Sequence, residues 1–543
     1  MENSNVTPIA LTENPNHNVY VPLKFEIKRK DIVFSVILLA VSLIMSFFGI
    51  WGGFKAGFYV SLVLFTATAS AYLVTKRSKI RAFPLCCAVL SIFVGLSLVL
   101  TTDASVKLLS MHLFLILNLT WLLSLVSDKK ETGDLSIVRN IFAPFFKGIT
   151  LNLSPTVLSL CSVGKKKHLI KVLLGLACAL PVIFIVVPLL MSSDEAFSGM
   201  MKMLFGDFFI TVAKFMWGIV IAMLLVSYCF TLSKDKLPED KKSTFKGIEN
   251  IILISFLSSV SVYYLAYLFS QSAYFFSAFS GFLPENYEFT VAAYARRGFF
   301  EMSIIAGINF VLLFSAILLS RKNNGKSCVG LRIICCFVAL FTLIIIATAI
   351  SKMVLYISSF GMTRLRIGTT AFMVFLCIVF IALILRLFLP GTRVLRVAII
   401  TSSVVLIMLG CFNLNSVVAK YNYNAYKEGT LKEIDVYTIY ELGYEGVPYL
   451  IKLAEDKDSS VSLKAHEYLF NILDYKEYIT VNEEGNSYKI KYNFNKNKNI
   501  GNYSLPESIA LNELEDYIKN NSDVIYEQYK NKYSENSIID YLF

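Results

Sequence analysis

The chain has 543 residues, of which 56% are hydrophobic and only 17% are charged, against roughly 25% charged residues in ordinary soluble domains. The net charge is +12, but the positive residues lie in short loops between apolar blocks, as membrane topology requires. This arrangement excludes a soluble nucleic-acid-binding protein. The apolar blocks are about twenty residues long, the length that a helix needs to cross a bilayer. The composition therefore predicts an all-α integral membrane protein whose main partner is the lipid bilayer.

About eleven apolar blocks are long enough to span a bilayer. The first block follows a polar segment, residues 1–30, which contains no apolar signal core. We therefore expect this block to remain as a spanning helix rather than to be removed as a leader. In the fifth block, Pro181 and Pro188 predict a kinked helix, which either lies beside a cavity or has only a packing role. The predicted spans are residues 31–51, 54–74, 82–101, 105–126, 168–191, 207–232, 247–271, 298–320, 329–351, 363–389 and 393–412.

Basic residues concentrate in alternate loops of this predicted transmembrane domain, residues 31–414. The basic segments are residues 24–30, 75–81, 127–167, 233–246, 321–332 and 390–396. Because Lys and Arg are enriched on the cytoplasmic side, all of these segments are predicted to lie inside the cell. The abundance of Lys, Asn, Ile and Tyr favours a bacterial origin. We expect a protein of the bacterial cytoplasmic membrane with its N-terminus inside and its C-terminal region outside.

The C-terminal region, residues 415–543, differs in composition. It contains 14 lysines and 21 acidic residues, which give it a net charge of −7. Apolar residues recur there at helical spacing, as at Leu450, Leu453 and Ala454, and this spacing predicts short amphipathic helices. Residues 478–494 alternate apolar and polar positions around a turn-like segment, which predicts a β-hairpin. We expect a small, mostly helical domain outside the membrane.

The signatures of soluble enzymes are missing from the sequence. There is no G-x-x-x-x-G-K-[ST] loop, no G-x-G-x-x-G after a predicted strand and no H-E-x-x-H motif. The four histidines lie far apart in the predicted topology and make no metal site. We therefore predict no metal, no cofactor and no catalytic residue. Polar residues within spans are costly in lipid, and we interpret Asn118, Lys214 and Asn309 as structural residues.

Charged residues at the outer ends of the predicted spans form the strongest candidate site. Arg297 precedes Glu301 by one helical turn, so the two can pair at i,i+4. A second basic pair, Arg364 and Arg366, opens a later span on the same predicted side. The candidate ligand-binding residues are Arg296, Arg297, Glu301, Arg364, Arg366, Tyr356, Asp194 and Glu195.

Two interpretations of this charged group remain open. An arginine-rich recess facing an acidic pair could hold an anionic ligand, such as a phosphate-bearing lipid or a cell-envelope precursor. In that case at least one arginine points into an open recess with no protein carboxylate in reach. Alternatively, the charges form a lattice of ion pairs that locks the helix ends together, and every arginine has a protein acceptor.

Two stretches of this group, residues 294–301 (YARRGFFE) and 356–366 (YISSFGMTRLR), carry a family resemblance. They resemble the hallmark segments of a bacterial polytopic membrane family, domain of unknown function 4173, to which a 4153 group is related. The span exit Pro188–Phe197 is similar as well. The tail contributes a similar pattern at Asn415, Asn422, Asp435, Val447 and Pro448. The resemblance covers residues 160–455 and implies a multi-spanning bacterial protein, without implying an activity.

Three functional classes are consistent with the sequence. We favour a membrane scaffold, or a protein that binds an anionic ligand or lipid of the cell envelope. A transporter or permease is an alternative, and it needs a mid-depth site between broken helices and often an internal repeat. No clear repeat is visible in the chain. A membrane enzyme acting on lipid-linked substrates is a second alternative, for which Asp194, Glu195 and Glu301 are the only carboxylates expected to converge.

Overall fold

The computed structural model describes residues 27–74, 81–126, 189–234, 247–280, 299–321, 327–389, 391–484, 487–494 and 503–539, with scattered positions between 144 and 187. Within these residues, ten helices are long and apolar enough to cross a membrane. The protein is therefore an all-α membrane protein. The helices of the bundle are α1 (Arg29–Ile44), α2 (Ala56–Leu73), α3 (Ala82–Leu100), α4 (Ala104–Ser124), α5 (Glu195–Lys234), α6 (Asn250–Ser280), α7 (Phe299–Leu319), α8 (Val329–Phe360), α9 (Arg364–Phe388) and α10 (Val394–Cys411).

The ten candidate spans coincide with ten of the predicted ones. The largest disagreement is at the end of α8, which continues to Phe360 instead of ending at residue 351. The helix continues because its apolar positions extend past Lys352, and it ends only at Gly361, whose φ of +76° and ψ of 179° form a backbone conformation that is essentially restricted to glycine. Most of the predicted fifth span, residues 168–191, lies outside the described residues, as do its two prolines.

The bundle consists of two groups of helices that share α10. The first four helices and the second half of α5 pack around common apolar cores. Helices α6 to α9 form a second core, in which α8 contacts α6, α7 and α9. Helix α10 packs against α3, α4 and α9 and so joins the groups. Large apolar side chains cover the outside, such as Phe269 in α6, which is 88% exposed. Lipid is the solvent that such a surface requires.

Buried amides in the bundle are hydrogen-bonded between helices. Asn309 in α7 accepts a hydrogen bond from the Tyr264 hydroxyl at 2.5 Å and donates one to the Thr342 hydroxyl at 2.9 Å. Asn118 in α4 accepts a hydrogen bond from Thr66 of α2 at 2.8 Å. Interhelical hydrogen bonds of this kind contribute about 0.6–2 kcal/mol in membranes. These contacts support the structural interpretation of both amides.

The tail, residues 412–539, lies on one side of the bundle, which we call the tail side. It contacts the loops 51–55, 101–103 and 361–363, so these three loops share that side. The start of the α5 span lies there too, because Ser46 donates to the Lys214 carbonyl at 2.6 Å. The end of α4 instead packs with the end of α5 on the opposite side. The chain therefore leaves α4 on one side and enters the α5 span from the other.

The tail is mostly helical and has its own apolar core. Leu450, Leu469 and Leu514 are fully buried in it. A two-stranded antiparallel hairpin with Val481 opposite Ile490 lies within residues 478–494. The elements of the tail are α11 (Leu414–Lys427), α12 (Val436–Tyr440), α13 (Val447–Ala454), α14 (Ser459–Tyr475), β1 (Ile479–Glu484), β2 (Ser487–Tyr492), α15 (Leu505–Asn520) and α16 (Ser522–Ile539).

Candidate functional site

The turn between α8 and α9 is held by the tail. Asn422 in α11 accepts a hydrogen bond from the backbone N–H of Met362 and donates one to the Met362 carbonyl, both at 2.7 Å. Gly361 lies against this amide, and a Cβ at that position would be 2.8 Å from Asn422 Oδ1. Thr363 then caps α9 by accepting from the Arg366 N–H. The start of α9, with its arginines, is thus fixed relative to the tail.

Arg366 is held in place by neutral groups. Its Nη1 donates to the carbonyls of Phe360, at 3.0 Å, and of Gly361. Its guanidinium also lies over the Tyr356 ring, 4.1 Å from the ring centroid. No carboxylate lies within ion-pair distance of Arg366 in the described part of the chain, and its Nε and Nη2 have no protein acceptor there. Arg366 therefore retains donors that a ligand could use.

Arg364 has a different environment. Its guanidinium is 3.8 Å from the Asp103 carboxylate, which also caps α4 by accepting from the Val106 N–H. The Arg364 side chain is partly exposed, so this ion pair contributes little on its own, roughly 0–1 kcal/mol. Arg364 thus has the ion pair that the lattice interpretation predicts. Arg366 also has protein acceptors, in two carbonyls, but it has no carboxylate of the described residues in reach, as the ligand interpretation requires.

A cleft of about 860 Å³ opens beside Arg366, between the α8–α9 turn and the tail. The turn forms one wall of the cleft and the tail segment 430–438 forms another, with α14 contributing further side chains. The lining side chains with charged or aromatic groups are Phe360, Arg366, Lys432, Glu433, Asp435, Tyr437, Lys464 and Tyr468. Because the α8–α9 turn directly joins two candidate spans, the cleft lies at the end of the bundle.

The charged groups of the cleft differ in how far they are already engaged. Asp435 caps α12, where it accepts hydrogen bonds from the Tyr437 N–H at 3.1 Å and the Thr438 hydroxyl at 2.8 Å. Lys432, Glu433 and Lys464 are exposed. With Arg366, the lining carries three cations against two carboxylates, one of which is engaged in the cap. The cleft is therefore mildly cationic.

Tyrosines form the aromatic part of the cleft. Tyr437 and Tyr468 line it, with ring centroids 6.0 Å apart, and Tyr440 stacks on Tyr468 at 4.7 Å. Burial, followed by the charge of Glu467, raises the pKa of Tyr468. A hydrogen bond to Glu441 raises the pKa of Tyr437. Both phenols therefore remain protonated at neutral pH and can donate hydrogen bonds.

The other residues of the predicted site are either outside the described residues or not joined to Arg364 and Arg366 by a hydrogen bond or ion pair. Arg296 and Arg297 lie outside the described residues. Glu301 is exposed in the first turn of α7 and forms no ion pair with Arg364 or Arg366. Asp194 caps α5 by accepting from the N–H groups of Ala196 and Phe197, and Glu195 occupies the first turn of that helix. Among the described residues, no hydrogen bond or ion pair joins Asp194 or Glu195 to Arg364 or Arg366.

Several residues of the cleft are absent from the sequence-based prediction of the site. Asn422 and Asp435 carry a signal, because both belong to the tail pattern of the family resemblance. Lys432 and Lys464 are ordinary surface lysines in sequence, and only the folded tail brings them to Arg366. The residues that the structure describes contain no group of three or more His, Cys, Asp or Glu side chains that could hold a metal ion.

Comparison with known families gives one match. Residues 33–453 match the family described as domain of unknown function (DUF4153), the group related to the 4173 family in the resemblance above. The match includes the α8–α9 turn, Asn422 and the tail segment 430–438, and it ends before Lys464. No curated protein and no solved structure matches the chain. Because the match covers well over half of its length, the chain belongs to the DUF4153 family.

Proposed function

We propose that the protein binds a phosphate-bearing anionic ligand of the cell envelope, a lipid headgroup or precursor, in the cleft on the tail side. The observation that carries the proposal is Arg366. Its guanidinium is oriented by two carbonyls and by Tyr356, it lines the cleft, and no carboxylate of the described residues lies within ion-pair distance of it. An arginine held in this way is pre-organised to donate to a phosphate group.

The position of the cleft favours a ligand at the membrane surface. The α8–α9 turn follows Phe360, the end of one candidate span, and precedes Arg364, the start of the next. Lys432 and Lys464 add positive charge from the tail. A lipid headgroup or lipid-linked precursor could therefore reach the cleft from the bilayer surface. Cations near such a surface attract anionic headgroups by about 1 kcal/mol each.

The buried amides of the bundle give no support to the transporter alternative. Asn118 and Asn309 are both bonded to neighbouring helices. The enzyme alternative needs converging carboxylates, and Glu301 and Asp194 form no contact with each other or with Arg366 in the described residues. Binding is the function that uses the groups of the cleft as they are placed.

We expect the double substitution Lys432→Gln and Lys464→Gln to weaken the binding of phosphatidylglycerol about tenfold, or about 1.4 kcal/mol. Both lysines are exposed, so the fold should remain intact. Native mass spectrometry of the full chain in detergent measures the binding, with phosphatidylcholine as the neutral reference. The matched control is Lys420→Gln, an exposed lysine of α11 outside the cleft. Equal phosphatidylglycerol binding by the double variant and the control would contradict the proposed site.

We further propose that the protein lies in the bacterial cytoplasmic membrane with its tail, and hence the cleft, outside the cell. The basic segments 75–81, 233–246 and 321–332 adjoin helix ends on the side opposite the tail, which the positive-inside rule assigns to the cytoplasm. A reporter that is active only outside the membrane should be active after Phe543. One that is active only inside should work at Lys322. A silent reporter after Phe543 would reverse this orientation.

A further inference from the structure

We infer that the ligand of the cleft is a phosphorylated sugar, in which a sugar ring lies beside the phosphate. This inference rests on the proposed function and names the class of its ligand. It is carried by three features of the lining that a phosphate alone does not use: the size of the cleft, its tyrosines and its carboxylates.

The cleft is too large for one phosphate group. Its volume of about 860 Å³ lies within the range of pockets that enclose whole small molecules, about 300–1,000 Å³. Arg366 occupies one part of the lining, at the α8–α9 turn. The tail segment 430–438 and α14 supply the rest. A phosphate bound at Arg366 leaves most of this space for the group to which the phosphate is attached.

The tyrosines provide a surface on which a ring can stack. Tyr437 is 49% exposed although it is aromatic, and it lines the cleft with Tyr468. Tyr440 stacks on Tyr468 with an angle of 18° between the rings, which fixes the orientation of that side chain. The electron-rich face of an aromatic ring attracts polarised C–H groups. The C–H faces of a sugar ring have this character, whereas a phosphate offers none.

The carboxylates distinguish a sugar phosphate from a simple anionic headgroup. Glu433 and Asp435 would repel a phosphate, but ionised carboxylates accept hydrogen bonds from hydroxyl groups. Glu433 has no hydrogen-bond partner in the described residues. A ligand with one anionic group and several hydroxyls uses the cations and the carboxylates together. A ligand with only an anionic group leaves the carboxylates unfavourably placed.

Binding of soluble probes to the full chain in detergent tests the inference. Isothermal titration calorimetry compares glucose 1-phosphate with inorganic phosphate. We expect glucose 1-phosphate to bind about tenfold more tightly, because stacking and hydroxyl contacts add to the phosphate contact. Tyr437→Ala should reduce this preference and leave the affinity for inorganic phosphate unchanged. Glu433→Gln should also reduce the preference, because it removes a hydroxyl acceptor and at the same time removes a charge that repels inorganic phosphate. The matched control is Tyr475→Ala, a tyrosine of α14 that is 82% exposed and lies outside the cleft.

A second comparison identifies the source of the sugar phosphate. A short-chain prenyl phosphoglucose that binds more tightly than glucose 1-phosphate indicates a lipid-linked ligand, and equal affinity indicates a soluble one. Either result supports the inference. If inorganic phosphate binds as tightly as glucose 1-phosphate, or phosphatidylglycerol as tightly as the prenyl phosphoglucose, the sugar inference is wrong and the anionic site stands. If none of these probes binds, the proposed function fails with it.

Discussion

Replacement of Glu445 by alanine is expected to loosen the tail where it meets the α3–α4 turn. Glu445 is only 4% exposed. Its carboxylate accepts hydrogen bonds from the Thr102 N–H at 2.9 Å and from the Thr102 hydroxyl. Hydrogen bonds to charged groups contribute about 1.5–3 kcal/mol each, and a donor left buried without a partner costs about as much. We expect a loss of about 3 kcal/mol in docking free energy, since both bonds are removed together.

Few other polar contacts of the described residues hold the tail against the bundle near Glu445. Lys55 pairs with Glu507 in α15, and the Ala56 N–H donates to the Tyr503 carbonyl at 3.4 Å. The tail is also held at the α8–α9 turn, by the Asn422 clamp on Met362 and by apolar contacts of Met362, Ile367 and Leu409 with the core of the tail. The Glu445→Gln variant keeps the shape and one acceptor, so it should fall between the wild type and Glu445→Ala.

Hydrogen exchange of the backbone in detergent measures this loosening. The amides of the loop 101–103 and of the turn Gly443–Glu445 should lose protection in the Glu445→Ala variant, while the core of α14 keeps it. The matched control is Glu455→Ala, an exposed carboxylate of the tail. Unchanged protection at the loop 101–103 in the Glu445 variant would show that the docking does not depend on this carboxylate.

The tail contacts illustrate what the sequence can and cannot predict. Spans are predictable because each depends on a local property, an apolar run of sufficient length. The end of α8 is harder to predict from the sequence, because Lys352 interrupts the apolar run although the helix continues as far as Phe360. Glu445 and Thr102 are far apart in the chain, and neither lies in a periodic pattern. Their pairing depends on how the folded tail meets the bundle.

The candidate site also combines features that depend on local sequence with features that depend on the folded structure. Tyr356 lies near the end of α8, and Arg364 and Arg366 lie at the start of α9, so one short stretch of sequence contains all three. The partner of Arg364 is Asp103, from the α3–α4 turn, and it was not among the predicted residues. The prediction of an acidic partner from Asp194, Glu195 or Glu301 relied on a shared membrane side. Sharing a side limits the possible partners without selecting one.

Substitution of Gly410 by alanine is expected to destabilise the bundle, although alanine favours helices. Gly410 lies in α10, and a Cβ at that position would be 2.2 Å from the Cβ of Ser97 in α3. Real Cβ atoms do not approach so closely, and Ser97 is fully buried with its hydroxyl bonded to the Val94 carbonyl at 2.6 Å. The two helices must therefore separate. Overpacking of this kind destabilises a protein by about 1–3 kcal/mol. The substitution of glycine by alanine within a helix stabilises it by only about 1 kcal/mol.

Gly368 in α9 provides the matched control, because a Cβ there has nothing within 4 Å. Gly368→Ala should therefore be neutral or stabilising, whereas Gly410→Ala should lower the melting temperature and Gly410→Val should lower it further. Thermal unfolding of the full chain in detergent measures both. We expect the displacement of α10 in these variants to reach the tail as well, because α10 ends at Cys411 and α11 begins at Leu414. The Gly410 variants should thus weaken the Asn422 clamp and the cleft together. A Gly410→Ala protein as stable as the Gly368→Ala protein would show that α3 and α10 do not pack this closely in the membrane.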